Sequence, residues 1–202
     1  GADLNWMLGM ARATELENRQ DSLRLAKLMH TLNFLSKPTI AKVNGSSYGG
    51  GVGLVACCDI AIGAEGAKFC LSEVKLGLVP AVISPYVIAA IGERQARRYF
   101  LSAEVFTAEE ARRIGLLHDT VPGGELDAAV DKVLHWLSKG GPLAQREAKQ
   151  LIARQTGKTP SAQKVMDRQN AELIARLRVS KEGQEGLSAF LDKRAPAWSR
   201  DS

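Results

Sequence analysis

Long hydrophobic runs, aromatic residues and cysteines are all scarce in this chain of 202 residues. No segment approaches the ~18 apolar residues that a membrane-spanning helix needs, and no export signal opens the chain, so we expect a cytoplasmic protein without a membrane partner. Aromatic residues make up 5% of the chain and do not alternate with Lys or Arg, which argues against nucleic-acid binding. The three cysteines lack CxxC spacing, which favours reduced core thiols over disulfides or zinc ligands.

The net charge and the histidine content limit the kinds of ligand that we expect. The net charge of +5 suits an anionic small ligand at least as well as a nucleic acid. The histidines, His30, His118 and His135, are scattered without the spacing of metal ligands, so no metal site is predicted. A hydrophobic fraction of 45% is sufficient for one well-packed core.

Hydrophobic periodicity predicts a chain of mixed α/β class. Apolar residues recur at three- and four-residue steps over 4–32, which predicts one helix. Short apolar segments predict strands at 39–43, 59–64 and 67–74. Further helices are predicted at 86–101, 107–115, 125–138, 142–154, 161–178 and 181–193.

The order of these elements predicts two regions. Strands dominate the middle of the chain and helices its end, and the segment SKGGP marks a boundary. We therefore predict a core region, 1–138, and a C-terminal helical region, 139–202. The chain opens on a helix with no strand before it, which predicts that an N-terminal portion is missing or supplied by another chain.

Three consecutive glycines, Gly49, Gly50 and Gly51, join a predicted strand to a predicted helix. Backbone N–H groups at such a helix N-terminus can stabilise an anion or an oxygen that becomes negative during a reaction. The spacing fits neither a phosphate loop nor a dinucleotide-binding loop. Taken alone, the glycines fit a tight strand-to-helix turn equally well.

Four segments in order resemble the enoyl-CoA hydratase/isomerase (crotonase) superfamily: 1–4, 37–80, 100–122 and 185–198. The second of them contains the three glycines, and together the segments cover nearly the whole chain. The resemblance implies a crotonase-like ββα spiral core with a C-terminal helical region. It also implies an acyl-CoA thioester as the bound partner, and no cofactor apart from the CoA of that substrate.

The resemblance assigns roles to five residues. The backbone N–H groups of Ala2 and Gly50 would hold the thioester oxygen while it gains negative charge. Gly49 and Gly51 would let the thioester approach closely. Glu73 would move the proton, and its apolar sequence neighbours predict a buried carboxyl group with a raised pKa.

Two positions depart from the common hydratases of the family. Those enzymes carry two glutamates, and the first of them falls on Gly53, which is expected in the substrate pocket. Their glycine-rich loop, whose N–H helps to hold water, is replaced by PAVISP at 80–85. The N–H of Ala81 is the candidate for that task here.

Three further residues have assigned places. Trp6 follows the first oxyanion segment, where it would line the acyl pocket or pack in the core. Phe190 and Lys193 fall on positions that in the family reach the adenine and 3′-phosphate of CoA, often across a subunit boundary; a solvated helix end is the alternative. A homo-oligomer, trimer or hexamer, is expected from the same resemblance.

The single glutamate leaves two reaction types open, isomerisation and hydration. The segments resemble methylglutaconyl-CoA and isohexenylglutaconyl-CoA hydratases, which also lack the first glutamate, so we predict hydration of a branched 3-substituted glutaconyl-CoA. A Δ3,Δ2-enoyl-CoA isomerase, a general enoyl-CoA hydratase and a non-catalytic CoA-binding scaffold remain open. The second carboxylate of a glutaconyl group needs a cationic or N–H partner, for which chain proximity suggests Lys75, Arg94, Arg97 and Arg98.

Overall fold

Two small β-sheets and nine α-helices make up residues 4–199, the part of the chain that the computed structural model describes. The strands are β1 (Ile40–Val43), β2 (Ser47–Tyr48), β3 (Ile60–Ala64), β4 (Lys68–Cys70), β5 (Phe106–Thr107) and β6 (Asp119–Val121). The helices are α1 (Leu4–Arg12), α2 (Glu15–Asn33), α3 (Gly50–Cys57), α4 (Ser84–Ser102), α5 (Ala108–Arg113), α6 (Leu126–Leu137), α7 (Pro142–Gln155), α8 (Pro160–Arg178) and α9 (Lys181–Leu191). Two 3₁₀ helices, Glu73–Leu76 and Gly123–Glu125, complete the elements, and the predicted α/β class is confirmed.

The two sheets are built by successive turns of one spiral. The first sheet has the order β1-β3-β6 with parallel strands, and the second has the order β2-β4-β5. Ile40 pairs with Ile60 in the first sheet, and Ser47 pairs with Phe69 in the second. The first two passes of the chain each add one strand to each sheet before a helix follows, which is the predicted ββα spiral. In the third pass α5 separates β5 from β6, and β5 is antiparallel to β4.

The predicted N-terminal helix is in fact two helices, α1 and α2. The Thr14 hydroxyl accepts a hydrogen bond from the N–H of Glu17, and the Glu17 carboxylate accepts one from the N–H of Thr14. This reciprocal pair is a capping box, which begins a new helix at Glu15. Apolar spacing continues across the break, so periodicity alone did not reveal it.

The strand predicted over 67–74 ends early. β4 stops at Cys70, and Glu73 opens a 3₁₀ helix that closes at Gly77, whose φ of 66° is left-handed. Strands β2, β5 and β6 were not predicted, because each has only two or three residues and depends on its neighbours for pairing. Thr107 caps α5, since its hydroxyl accepts a hydrogen bond from the N–H of Glu110.

The C-terminal helices pack on the core. Helix α8 lies along α2, and α9 lies against the 3₁₀ helix that begins at Glu73. The division at residue 138 stays a prediction. None of the helices in the described part of the chain is long and apolar enough to cross a membrane.

Close backbone packing holds α9 against that 3₁₀ helix. A Cβ atom on Gly186 would overlap the backbone of Leu76, and one on Gly77 would lie 2.7 Å from the carbonyl carbon of Glu182. Since both contacts involve backbone atoms, neither can be relieved by a side-chain rotation. The position of the Glu73 segment is therefore set by glycines on both partners.

We expect Gly186→Ala to lower the free energy of unfolding by about 1–3 kcal/mol, because the added methyl group forces α9 away from Leu76. Urea denaturation measures the change. Gly9→Ala is the matched control: it lies in α1 with no atom within 4 Å of the added Cβ, so it should stabilise by about 0.5–1 kcal/mol. Equal effects of the two substitutions would contradict this account of the packing.

Candidate active site

One cavity of about 1030 Å³ collects most of the predicted site residues. Its wall is formed by α1, α2, the start of α3, the segment from Ser72 to Ile83, and the ends of α8 and α9. The predicted residues in the wall are Trp6, Gly49, Gly50, Gly51, Glu73, Ala81 and Phe190. Ala2 lies outside the described residues.

The three glycines form the N-terminus of α3 at this wall. Gly49 is the N-cap, with φ 51° and ψ −116°, and its N–H donates to the carbonyl of Cys70 over 2.9 Å. Its own carbonyl accepts from the N–H groups of Val52 and Gly53. Within residues 4–199 no acceptor meets the N–H groups of Gly50 and Gly51, so both are available to a ligand at the positive end of the helix dipole.

The carboxyl group of Glu73 lies beside Gly49, the N-cap of α3. Its Oε1 would be 3.1 Å from a Cβ atom on Gly49, so a side chain at position 49 would press on the carboxylate. The positive φ of Gly49 disfavours other residues for a second reason. Oε2 of Glu73 is buried and has no hydrogen-bond partner in the described part of the chain.

Burial alters the acidity of this group. It raises the pKa of Glu73 from 4.5 to about 7, and a hydrogen bond to the residue's own backbone opposes that shift. A carboxyl group with a pKa near 7 can both accept and return a proton at neutral pH. The sequence-based expectation of a raised pKa is thus consistent with the geometry.

Position 53 cannot hold a second carboxylate. Gly53 is buried, and a Cβ atom there would overlap the side chain of Ile83 and lie 3.2 Å from Cε of Met29. Gly53 does not contribute to the cavity wall, contrary to the prediction. Glu73 therefore has no acidic partner at the position where the common hydratases carry one.

The prediction for Ala81 is wrong in its chemistry. Ala81 does lie in the cavity wall, but its N–H donates to the carbonyl of Val79 over 2.8 Å. That N–H is therefore not available to hold water. In the turn of Val79, Pro80 and Ala81, the Ala81 N–H is used in a backbone hydrogen bond. The glycine-rich loop of the common hydratases leaves the corresponding N–H for water.

Three of the four residues predicted to bind the second carboxylate of a glutaconyl group lie outside the cavity wall. Arg97 pairs with Glu93 and Arg98 pairs with Glu104 on the exposed side of α4. Neither arginine contributes to the cavity wall, and neither does Arg94. Lys75 does contribute, so it is the one candidate of the four that the fold brings to the site.

Sequence reasoning missed a polar cluster on the same wall. The Asp21 carboxylate accepts from Nε1 of Trp6 over 3.2 Å, and from Arg24 and Arg178 over 3.2 and 3.4 Å. The Arg178 guanidinium also lies 5.2 Å from the centre of the Trp6 ring. Trp6 thus packs and lines the pocket at once. Only the i,i+3 spacing of Asp21 and Arg24 was visible in the sequence.

Only one of the two residues predicted to contact CoA lies in the cavity wall. Phe190 lines the cavity, whereas Lys193 is exposed beyond the end of α9 and does not. Their roles toward CoA stay predictions. In the described part of the chain no group of three or more His, Cys, Asp or Glu side chains is placed to hold a metal ion.

Comparison with known proteins identifies the family. The family described as Enoyl-CoA hydratase/isomerase matches residues 1–201. The 2,3-dehydroadipyl-CoA hydratase of Escherichia coli is 34% identical over 97% of this chain and 74% of its own length. The crotonyl-CoA hydratase of Syntrophomonas wolfei is 32% identical over 96% and 73%. The crystal structure of an enoyl-CoA hydratase from Shewanella pealeana superposes with a TM-score of 0.75 at 47% identity, over 98% and 73% of the two chains. The crotonase-like fold is confirmed, and the chain belongs to the enoyl-CoA hydratase/isomerase family.

Proposed function

We propose that this protein adds water across the 2,3-double bond of an acyl-CoA thioester, with Glu73 as its single acid–base group. One observation carries the proposal: the buried, unpartnered Oε2 of Glu73 shares a cavity with the free N–H groups at the start of α3. A proton-transfer group and a donor for a developing oxyanion are the two parts that this reaction needs.

The reaction then runs in two proton movements. Ionised Glu73 takes a proton from water while the water oxygen bonds to C3 of the enoyl group. The C2–C3 π electrons move toward the thioester oxygen, which the N–H groups of Gly50 and Ala2 stabilise. Protonated Glu73 then gives its proton to C2 on the same face, which restores the carboxylate and completes the addition of water. No cofactor is required apart from the CoA of the substrate.

The preferred substrate is a branched 3-substituted glutaconyl-CoA, methylglutaconyl-CoA or isohexenylglutaconyl-CoA. Three features support this choice: the glycine at position 53, the large cavity with many apolar side chains, and the basic residues in its wall. A relative of this chain is also named for a dicarboxylic substrate, 2,3-dehydroadipyl-CoA. A general enoyl-CoA hydratase is the competing assignment, supported by the relative named for crotonyl-CoA.

A substrate panel tests the proposal. We expect methylglutaconyl-CoA or isohexenylglutaconyl-CoA to lose its conjugated thioester absorbance with a higher kcat/KM than crotonyl-CoA. Faster hydration of crotonyl-CoA than of either glutaconyl ester would give the general hydratase assignment instead. Turnover of any of these esters would exclude a non-catalytic scaffold.

Isomerisation is a second candidate, favoured by the same single carboxylate. Glu73 could take a proton from C2 of a 3-enoyl-CoA and return it to C4, which moves the double bond without water. Conversion of 3-hexenoyl-CoA to 2-hexenoyl-CoA, with no hydration of any 2-enoyl ester, would assign the enzyme as an isomerase.

We also propose that the protein assembles into a homo-oligomer, a trimer or a hexamer. Large apolar side chains are exposed on α6 and α7, among them Trp136, Leu143 and Ile152. Exposed apolar surface of this kind is typical of protein–protein interfaces. Multi-angle light scattering of the purified protein measures the subunit number directly.

A further inference from the structure

The cavity wall carries more positive charge than the hydration chemistry needs. Arg24 and Arg178 both donate to Asp21, so two guanidinium groups share one carboxylate. These three side chains have a net charge of +1 and all contribute to the wall of the cavity that contains Glu73. We call Arg24, Arg178 and Asp21 together the arginine site, and the two arginines its arginine pair.

Arg178 is the buried member of the pair, with 8% of its surface exposed. Within the described residues it donates hydrogen bonds through Nη1 alone, to Asn18 and Asp21. Its Nε and Nη2 are therefore available for a further acceptor. Asp21 balances only one of the two guanidinium charges, so the site retains a positive charge that favours a second anionic group.

The neighbouring side chains fit an acyl chain that ends in an acid. Leu25, Leu28 and Ile174 line the same cavity and offer it apolar contact. Ser22, which adjoins Asp21 in α2, has a buried hydroxyl without a hydrogen-bond partner in residues 4–199. Guanidinium N–H donors and a hydroxyl donor thus line the same cavity, where a carboxylate of the acyl group could use them.

We infer that Arg24 and Arg178 bind a carboxylate carried by the acyl group, which makes the enzyme selective for dicarboxylic acyl-CoA thioesters. The inference rests on the proposed function, because it names the substrate class of the same site. A guanidinium group suits this task, since its planar N–H groups can bind both oxygens of a carboxylate. Lys75 is the other cation in the wall; like Arg24 it is exposed, and it makes no ion pair within the part of the chain described, so it is the alternative that a Lys75→Gln variant tests.

Saturated thioesters test binding without turnover. Adipyl-CoA is compared with hexanoyl-CoA, and glutaryl-CoA with pentanoyl-CoA, by titration calorimetry. Each pair has the same number of acyl carbons and the same CoA, so the ratio of the two dissociation constants reports the exchange of a terminal methyl group for a carboxylate. We expect the wild-type protein to bind at least one dicarboxylic ester about 10- to 100-fold more tightly than its uncharged partner.

Arg24→Gln should remove most of that preference and leave the affinity for the uncharged ester within about twofold, since Arg24 is exposed and its loss does not disturb the core. Arg97→Gln is the matched control, because it removes the same charge from a helix face outside the cavity. In turnover assays Arg24→Gln should raise KM for methylglutaconyl-CoA with kcat little changed, and leave KM for crotonyl-CoA unaltered.

The inference is overturned by three results: no preference for either dicarboxylic ester in the wild-type protein, an undiminished preference in Arg24→Gln, or loss of the preference in Lys75→Gln alone. Failure of the proposed function has a different signature. A wild-type protein that hydrates no enoyl-CoA but still prefers dicarboxylic thioesters would retain the arginine site and lose the hydratase assignment.

Discussion

Glu73→Gln is expected to lower kcat at least ~100-fold while the acyl-CoA substrate still binds, because general acid–base groups typically contribute about 100- to 10,000-fold. Glutamine keeps the shape of the side chain but cannot exchange a proton in the working pH range. Position 53 offers no second carboxylate to replace it, since Ile83 and Met29 occupy the space beside Gly53. Steady-state hydration kinetics and calorimetric titration of a saturated acyl-CoA measure the two quantities separately.

The pH dependence of hydration is a second test of the role of Glu73. Hydration needs ionised Glu73, and burial raises the pKa of that group to about 7. The wild-type kcat/KM should therefore fall as the pH drops below about 7, while the residual activity of Glu73→Gln should not follow that titration. Glu65→Gln, at an exposed glutamate outside the cavity, is the matched control and should behave as wild type. If Glu73→Gln kept more than about a tenth of the wild-type rate, Glu73 would not be the main proton-transfer group.

Gly50→Pro should lower kcat by about 100- to 1,000-fold, the loss found when one oxyanion donor is removed from comparable sites. Gly50 is the first residue of α3, a position where proline is well accommodated, and the ψ of −116° at Gly49 lies outside the α region that a following proline disfavours. The substitution thus removes the N–H with little change to the helix start.

Gly50→Ala tests the effect of a side chain at position 50 while the N–H is kept. No atom lies within 4 Å of a Cβ on Gly50, and alanine keeps the N–H, so hydration should remain within a few-fold of wild type. Similar rates for the alanine and proline variants would show that the Gly50 N–H does not face the oxyanion. The loss in a Glu73→Gln, Gly50→Pro double variant should be smaller than the product of the single losses, since both groups act on one transition state.

The half of the site that holds the acid and the glycines could be predicted because it is local in sequence. Gly49 to Gly51 and Glu73 belong to one continuous segment, and the pairing of β2 with β4 brings its two ends together. The apolar sequence neighbours of Glu73 also predicted that its carboxyl group is buried. What remained hidden was the detail of the turn at Ala81, because its N–H could face water or a carbonyl with the same sequence.

The other half could not be predicted, because its residues are far apart in the chain. Arg178 meets Asp21 only because α8 packs along α2, and 157 positions separate the two residues. Chain proximity instead favoured Arg97 and Arg98, which the fold turns toward solvent on α4. In the same way, β6 exists as a strand only because β3 lies beside it.

The packing at Gly53 also has an evolutionary consequence. A glutamate at that position alone would meet Ile83 and the end of Met29, both fully packed, so the single substitution would be selected against before it could contribute chemistry. Smaller residues at 83 and 29 would leave a cavity as long as position 53 remained glycine. Each first step is harmful without the others. A lineage with this core therefore needs coordinated changes at these three positions before it can acquire a carboxylate at position 53.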